Sequence, residues 1–165
     1  MTHIIVRIMT PEDEAGAREA WSSAMETLRQ TYRPIEGAIG DWKPPGKLTS
    51  IVAILDGRVA GTASYYPDDD RLHLMRFGVH ADFRRKGVAR AMVEHVMGIA
   101  QDRDFCRLSV YTVKECGVVP VYEKLGFKVC REEHAKWAES DKFQILTDVY
   151  MEATLTGASS HRIDG

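Results

Sequence analysis

Apolar and polar positions alternate in short runs along most of this chain, and the period lengthens from two to nearly four in only a few places. His3 to Met9 is β-branched and weakly alternating, which predicts a first strand. Thr10-Pro11-Glu12-Asp13 reads as a helix start, with Thr as N-cap, Pro at the first helical position and acids in the first turn. Ala17, Trp21, Ala24 and Leu28 then recur at helical spacing. That helix is expected to run to about Tyr32, because Pro34 disfavours helix at the residue before it. Arg33 to Leu48 mixes Gly, Pro and aromatic residues without a period. A short second helix and then a loop are expected there, forming a mobile edge of a site.

The alternation resumes in SIVAILD and RVAGTASYY, which flank Asp56-Gly57, a strong hairpin signal. Pro67-Asp68-Asp69-Asp70 marks a second turn, and Arg71 to Val79 a further strand, so this part reads as an antiparallel meander. From about Gly87 to Gln101 the helical period returns. Val88, Met92, Val96 and Ile99 form its apolar face, with Ala89, Val93 and Ala100 beside them. Phe105 to Val113 predicts a strand, and Val118 to Leu125 a short helix with Pro120 in its first turn and Gly126 as a left-handed cap. Phe127 to Glu132 and Thr147 to Leu155 complete the strands. The order β-α-(α)-β-β-β-α-β-α-β-β is that of a mixed α/β (α+β) chain.

A chain of 165 residues is long enough for one domain with a real core, expected over residues 1–155, with the small polar residues 156–165 as a flexible tail. A net charge of -2 gives no bulk electrostatic case for nucleic acid. Cys106, Cys116 and Cys130 show no CxxC spacing, which suits a reduced, cytoplasmic protein. The opening MTHIIVRIMTPEDE is too briefly apolar for a signal peptide, and no run approaches a membrane span, so no membrane partner is expected. Asp68-Asp69-Asp70 reads as the solvated tip of a turn, and no metal site is expected.

One local feature stands out against this neutral background. Arg84-Arg85-Lys86 precedes a glycine and an apolar helix, where the helix dipole disfavours cations. A solvated basic turn is one explanation. An anion bound there is another: unpaired N–H groups of the turn and first helical turn, Gly87 without a Cβ, and the small Ala89 together suit a pyrophosphate. Arg84, Arg85 or Lys86 can reach its oxygens. Other phosphate loops fit less well. Gly40 to Leu48 departs from the P-loop spacing and contains two prolines, and no GxGxxG occurs.

Strand, then Arg84-x-x-Gly87-x-Ala89, then helix resembles the signature of the GNAT superfamily of N-acetyltransferases. Val121-Tyr122-Glu123-Lys124-Leu125-Gly126-Phe127 is similar to a second segment of that family, at a distance that fits one intervening strand. The resemblance covers Ser50 to about Glu132 well, and the element order of nearly the whole chain. It implies a mostly antiparallel sheet with helices on both faces and a splayed pair of parallel strands. It also implies acetyl-CoA as co-substrate. The backbone of Arg85, Lys86, Gly87, Val88 and Ala89 would hold the pyrophosphate, with Arg84 shaping the loop. The backbone of Phe77 and Val79 would pair with the pantetheine arm. Tyr122 would protonate the leaving thiolate, as a phenol that is protonated at neutral pH can; read without the motif, Tyr122 is a packing residue.

One position departs from the family's pattern: Glu115 stands where many relatives carry an Asn that contacts the cofactor. Three residues are candidates for a base on the amine side. They are His73, which shares side-chain parity with Phe77 and Val79 barring a bulge, Glu36 in the aperiodic loop, and Glu115. Trp42 is the aromatic residue expected near an acceptor pocket. No Cys makes a convincing nucleophile, so amine and acetyl-CoA are expected to meet in a ternary complex. The rival reading is a catalytically silent module of the same fold that binds acyl-CoA as a sensor. The acceptor, a small-molecule amine or a peptide or protein amine, is not specified by the sequence. Homodimers are frequent with this fold, and the sequence leaves that open.

Overall fold

A computed structural model describes residues 3–155; the expected C-terminal tail lies outside the described residues. The chain begins with strand β1 (Ile4–Ile8), a 3-10 turn at Pro11–Asp13 and helix α1 (Glu14–Leu28). Asp13 accepts from the Thr10 backbone N–H (2.9 Å) and from the Arg7 guanidinium, which ties the end of β1 to the start of α1. The Arg7 guanidinium is the main reason that the Asp13 carboxyl is held well below the usual carboxylate range.

The helix stops about a turn before Tyr32. Its continuation is captured by distant residues: Ser140 Oγ donates to Thr31 O (2.5 Å), and the Tyr32 ring meets Trp137 edge-on at 5.5 Å. No second helix follows. Arg33–Pro34 form a short strand, β2, which pairs antiparallel with a strand that the sequence did not suggest, Ala138–Glu139.

The meander falls where the pattern placed it: β3 (Thr49–Leu55), β4 (Arg58–Asp68) and β5 (Arg71–Val79). Helix α2 (Val88–Asp102), β6 (Arg107–Val113), α3 (Val119–Lys124), β7 (Lys128–His134), β8 (Ala138–Glu139) and β9 (Thr147–Thr154) complete the chain. Seven strands form one sheet in the order β1-β3-β4-β5-β6-β9-β7, antiparallel except for β5 and β6.

Helices cover both faces. A Cβ on Gly61 would meet Met92 and Val88 of α2, whereas one on Gly78 would meet Ala24 of α1 at 2.8 Å. Gly78 pairs with Thr62, the neighbour of Gly61, so α1 and α2 lie on opposite sides of the sheet. The main core is on the α2 side, where Ile51, Leu72, Leu74, Met92, Leu108 and Met151 are fully buried.

Candidate active site

The parallel pair β5–β6 is joined over Arg71–Leu74 and Arg107–Val110 and then comes apart. Both strands continue, β5 to Val79 along β4 and β6 to Val113 along β9. From Met75 onward the edge of β5 that faces β6 therefore has no strand partner, and a V-shaped gap opens. Parallel strands diverge in this way when each is held more strongly by its outer, antiparallel neighbour.

The gap leads to the basic turn. Arg85 and Gly87 both have left-handed backbone, with φ of 63° and 84°. Gly87 is the N-cap of α2 and has no side-chain cap. The first N–H of this helix to find an acceptor is that of Ala91, on Gly87 O (3.0 Å). The N–H groups of Arg85 to Arg90 have no acceptor among the described residues. Left-handed positions alternating with right-handed ones aim successive N–H groups at one point, which makes an anion nest at the positive end of a helix dipole.

The side chains of the turn divide their tasks. Arg84 Nη2 donates to Thr27 Oγ1 of α1 (2.9 Å), which fixes the turn, and Lys86 Nζ lies 5.8 Å from the Phe83 ring. Arg85 is exposed and has no partner among the described residues. Val88 turns its side chain into the core, so only its backbone faces the nest.

Helix α3 carries Tyr122 to the other wall of the gap. Its ring lies 6.1 Å from Phe77 and 5.6 Å from Phe127. The hydroxyl has no hydrogen-bond partner among the described residues, and burial pushes its pKa well above the ordinary phenol value. The structure thus brings together Phe77, the Arg84–Ala89 turn and Tyr122 around one gap.

It separates the three candidate bases. β5 carries a bulge: Thr62 faces Gly78 and Ser64 faces Met75, so Arg76 and Phe77 oppose a single residue, and Arg76 takes a left-handed φ of 51°. Beyond the bulge the side chains exchange faces. Phe77 and Val79 pack on the core side, as Leu72 and Leu74 do. His73 faces the other side, and the parity expected from the sequence is broken. Glu115 is engaged elsewhere: its carboxylate accepts from Thr147 N (2.7 Å) and Thr147 Oγ1 (2.9 Å), strapping the end of β6 to the start of β9. Glu36 is exposed and does not line the cleft described next.

The face of the sheet away from α2 holds that cleft, of about 470 Å³, beside the opening of β5 and β6. His73 and Met75 of β5 and Tyr66 of β4 border it, with Trp42 from the long loop, which is where Trp42 was expected. Tyr111, Trp137, Glu133 and Asp148 come from β6, β7, β9 and the turn after β7. His73 is 8% exposed, and its Nδ1 lies 2.7 Å from Ser109 Oγ. Burial lowers its pKa to about 4, so the ring is neutral at neutral pH. Asp148 accepts from Trp137 Nε1 at 2.9 and 3.1 Å, and burial raises its pKa, assisted by Glu133 and Glu115.

The alternation of β6 and β9 did place Tyr111 and Asp148 opposite the core face, which was a usable signal. Glu133 and Trp137 lie in an aperiodic segment, where no spacing singles out individual residues. Among the described residues no helix is long and apolar enough to cross a membrane, and no group of three or more His, Cys, Asp or Glu is placed to hold a metal ion.

Known proteins resemble this chain in sequence and in fold. A family model described as the acetyltransferase (GNAT) family matches residues 10–127. N-acetylaspartate synthetase from Rattus norvegicus is 34% identical over 89 residues, covering 52% of this chain and 29% of that protein. The chain thus spans less than a third of the length of that curated relative. A protein of the same fold from Kribbella flavida superposes with a TM-score of 0.69 at 24% identity, covering 92% of this chain and 98% of the other. A Bacillus anthracis protein assigned as a streptothricin acetyltransferase, solved with acetyl coenzyme A, superposes with a TM-score of 0.68 at 11% identity, covering 92% and 97%.

Proposed function

The chain belongs to the GNAT acetyltransferase family, and from that premise we propose that it transfers the acetyl group of acetyl-CoA to a primary amine within a ternary complex. The observation that carries this reading is the run of unpaired N–H groups from Arg85 to Arg90 at the uncapped start of α2, where the β5–β6 gap ends. Backbone donors in that arrangement suit a pyrophosphate, and the free edge of β5 at Phe77 and Val79 suits the amide groups of a pantetheine arm. The co-substrate supplies the activated thioester.

In the transfer an N–C bond forms and a C–S bond breaks, while the amine gives up one proton and the thiolate takes one. Tyr122 is the proton donor in this reading. Its raised pKa keeps the phenol protonated through the neutral range, and the gap wall places it beside the strand that would hold the arm. His73 is the remaining base candidate with access to the cleft, its Nδ1 held by Ser109. A residue with a pKa of about 4 is a weak base, so it suits an amine that enters already neutral or reaches it through water.

The test is a pair of measurements on Tyr122→Phe. Calorimetric titration should give the same CoA affinity as the parent, while kcat in a thiol-release assay with an amine panel falls by roughly a hundred-fold or more. An unchanged kcat removes Tyr122 from the proton transfer. A parent protein that binds CoA tightly and releases no thiol with any amine is the silent acyl-CoA-binding module instead.

A further inference from the structure

We infer that the acceptor is a small amine carrying a second positive charge on an aromatic or apolar body, held in the cleft by Asp148 and Glu133 against an aromatic wall. The inference rests on the acetyltransferase reading above and adds the substrate class.

The cleft is built from unlike parts that share one preference. Trp42, Tyr66, Tyr111 and Trp137 supply the apolar lining. Trp42 and Tyr66 meet at 5.9 Å, and Tyr66 continues to the His73 ring at 5.2 Å, which continues to Tyr111 at 5.7 Å. An aromatic wall of this kind takes a flat or apolar body, and its ring faces attract a cation.

The charged groups of the cleft are both carboxylates. Glu133 and Asp148 sit directly opposite each other in the β7–β9 register. Like charges in that position are unfavourable for the sheet, so their pairing on one wall is a cost to the fold that a bound cation would offset. The nearby cations are engaged. Lys114 pairs with Glu132 (2.9 Å), and Arg131 donates to the Tyr111 hydroxyl (2.7 Å) and stacks 4.2 Å from the Tyr150 ring. The contact of Arg131 Nε with Glu133 is long, at 3.9 Å. Asp148 takes a neutral donor, the Trp137 indole. His134, Glu115 and Tyr32 are the other titratable groups that interact with Asp148.

His73 adds a polar, uncharged group to the cleft. More than nine-tenths of this polar side chain is buried, and its Nδ1 is committed to Ser109. Its Nε2 has no partner among the described residues, although the ring borders the cleft. This nitrogen is therefore open to the cleft and offers a hydrogen-bonding group to a guest there. Being neutral, the ring does not repel a cationic guest. An amine acceptor bearing carboxylates would instead face Asp148 and Glu133 in a cleft whose lining includes no Lys or Arg.

Three acceptors test this with acetyl-CoA as donor: phenethylamine, its doubly charged counterpart 4-(2-aminoethyl)benzylamine, and aspartate. The diamine should be used at least ten-fold better than phenethylamine in kcat/KM, and aspartate worst. Asp148→Asn and Glu133→Gln should each cut the diamine-to-monoamine ratio by roughly ten-fold, the effect expected of one charge-assisted hydrogen bond. Glu133 is exposed, so its variant should fold even if Asp148→Asn does not; melting curves check both. Equal use of the two amines, or preference for aspartate, with CoA binding intact, overturns the inference and leaves the acetyltransferase reading standing. Absence of CoA binding removes that reading, and the inference with it.

Discussion

Gly87 is the residue whose replacement separates folding from function most cleanly. Its φ is +84°, a region that side-chain-bearing residues occupy at a cost of about 1–2 kcal/mol. Space is not the obstacle: an added Cβ would have only Ile4 Cδ1 near it, at 4.0 Å. Gly87→Gln should therefore lower the melting temperature by only about 2–8 °C for a chain of this size. Cofactor binding should suffer more. Relaxing the left-handed φ re-aims the N–H groups of the nest, and the new side chain stands where the anion belongs. The loss of one hydrogen bond to a charged group, at about 1.5–3 kcal/mol, weakens binding by roughly ten- to 150-fold. Gly57 is a matched control, because its φ is +75° and nothing lies within 4 Å of an added Cβ. Gly57→Gln should show a similar melting shift and unchanged CoA affinity by calorimetric titration. The reasoning is refuted if folded Gly87→Gln binds CoA as the parent does, or if both variants lose affinity equally.

Two further expectations follow from titratable groups. His73 has its pKa lowered to about 4 by burial, below the unfolded value near 6.5, so protonation favours the unfolded chain. Its stabilising contribution is complete above about pH 6.5 and is lost as pH falls towards 4. Urea unfolding at pH 7 and pH 5 should show the parent losing about 2 kcal/mol more than His73→Asn over that interval; parallel losses would show that His73 is not buried and neutral. Burial pushes the Cys116 thiol up to about 11, whereas Cys106 and Cys130 are exposed. A native thiol titration with an aromatic disulfide at neutral pH should find Cys116 much slower than the other two, and all three should react at once in denaturant. Fast reaction of Cys116 in the native protein would mean that the small cluster it packs against, Val113, Ala135, Ala138 and Leu146, opens readily.

The legible parts of the sequence were those governed by neighbours in the chain. Asp56-Gly57 fixed the β3–β4 hairpin because left-handed turn geometry is decided within a few residues. The α2 face from Val88 to Ala100 was readable because a helix repeats its contacts every turn. Arg84 to Ala89 stood out as a candidate anion site, since basic residues and Gly at a helix start conflict with local preference unless something offsets them. The misread parts were those decided by contacts distant in sequence. The end of α1 was set by Ser140 and Trp137, more than a hundred residues away. The β2–β8 pair is two residues long on each side and has no pattern to detect.

The sequence by itself determined the order of the main helices and strands apart from the β2–β8 pair, the apolar face of α2, and the local chemistry of the turn before α2, because each rests on short-range periodicity or backbone preference. Only the tertiary structure decided where β5 and β6 part, that Tyr122 meets Phe77 across that gap, and that His73 joins Tyr66, Tyr111, Glu133 and Asp148 in one cleft. A single bulge at Arg76 and Phe77 made the difference for His73. Side chains alternate along a strand, so one inserted residue moves everything beyond it to the opposite face. That insertion shows only in the pairing with β4, which no local pattern in the sequence records.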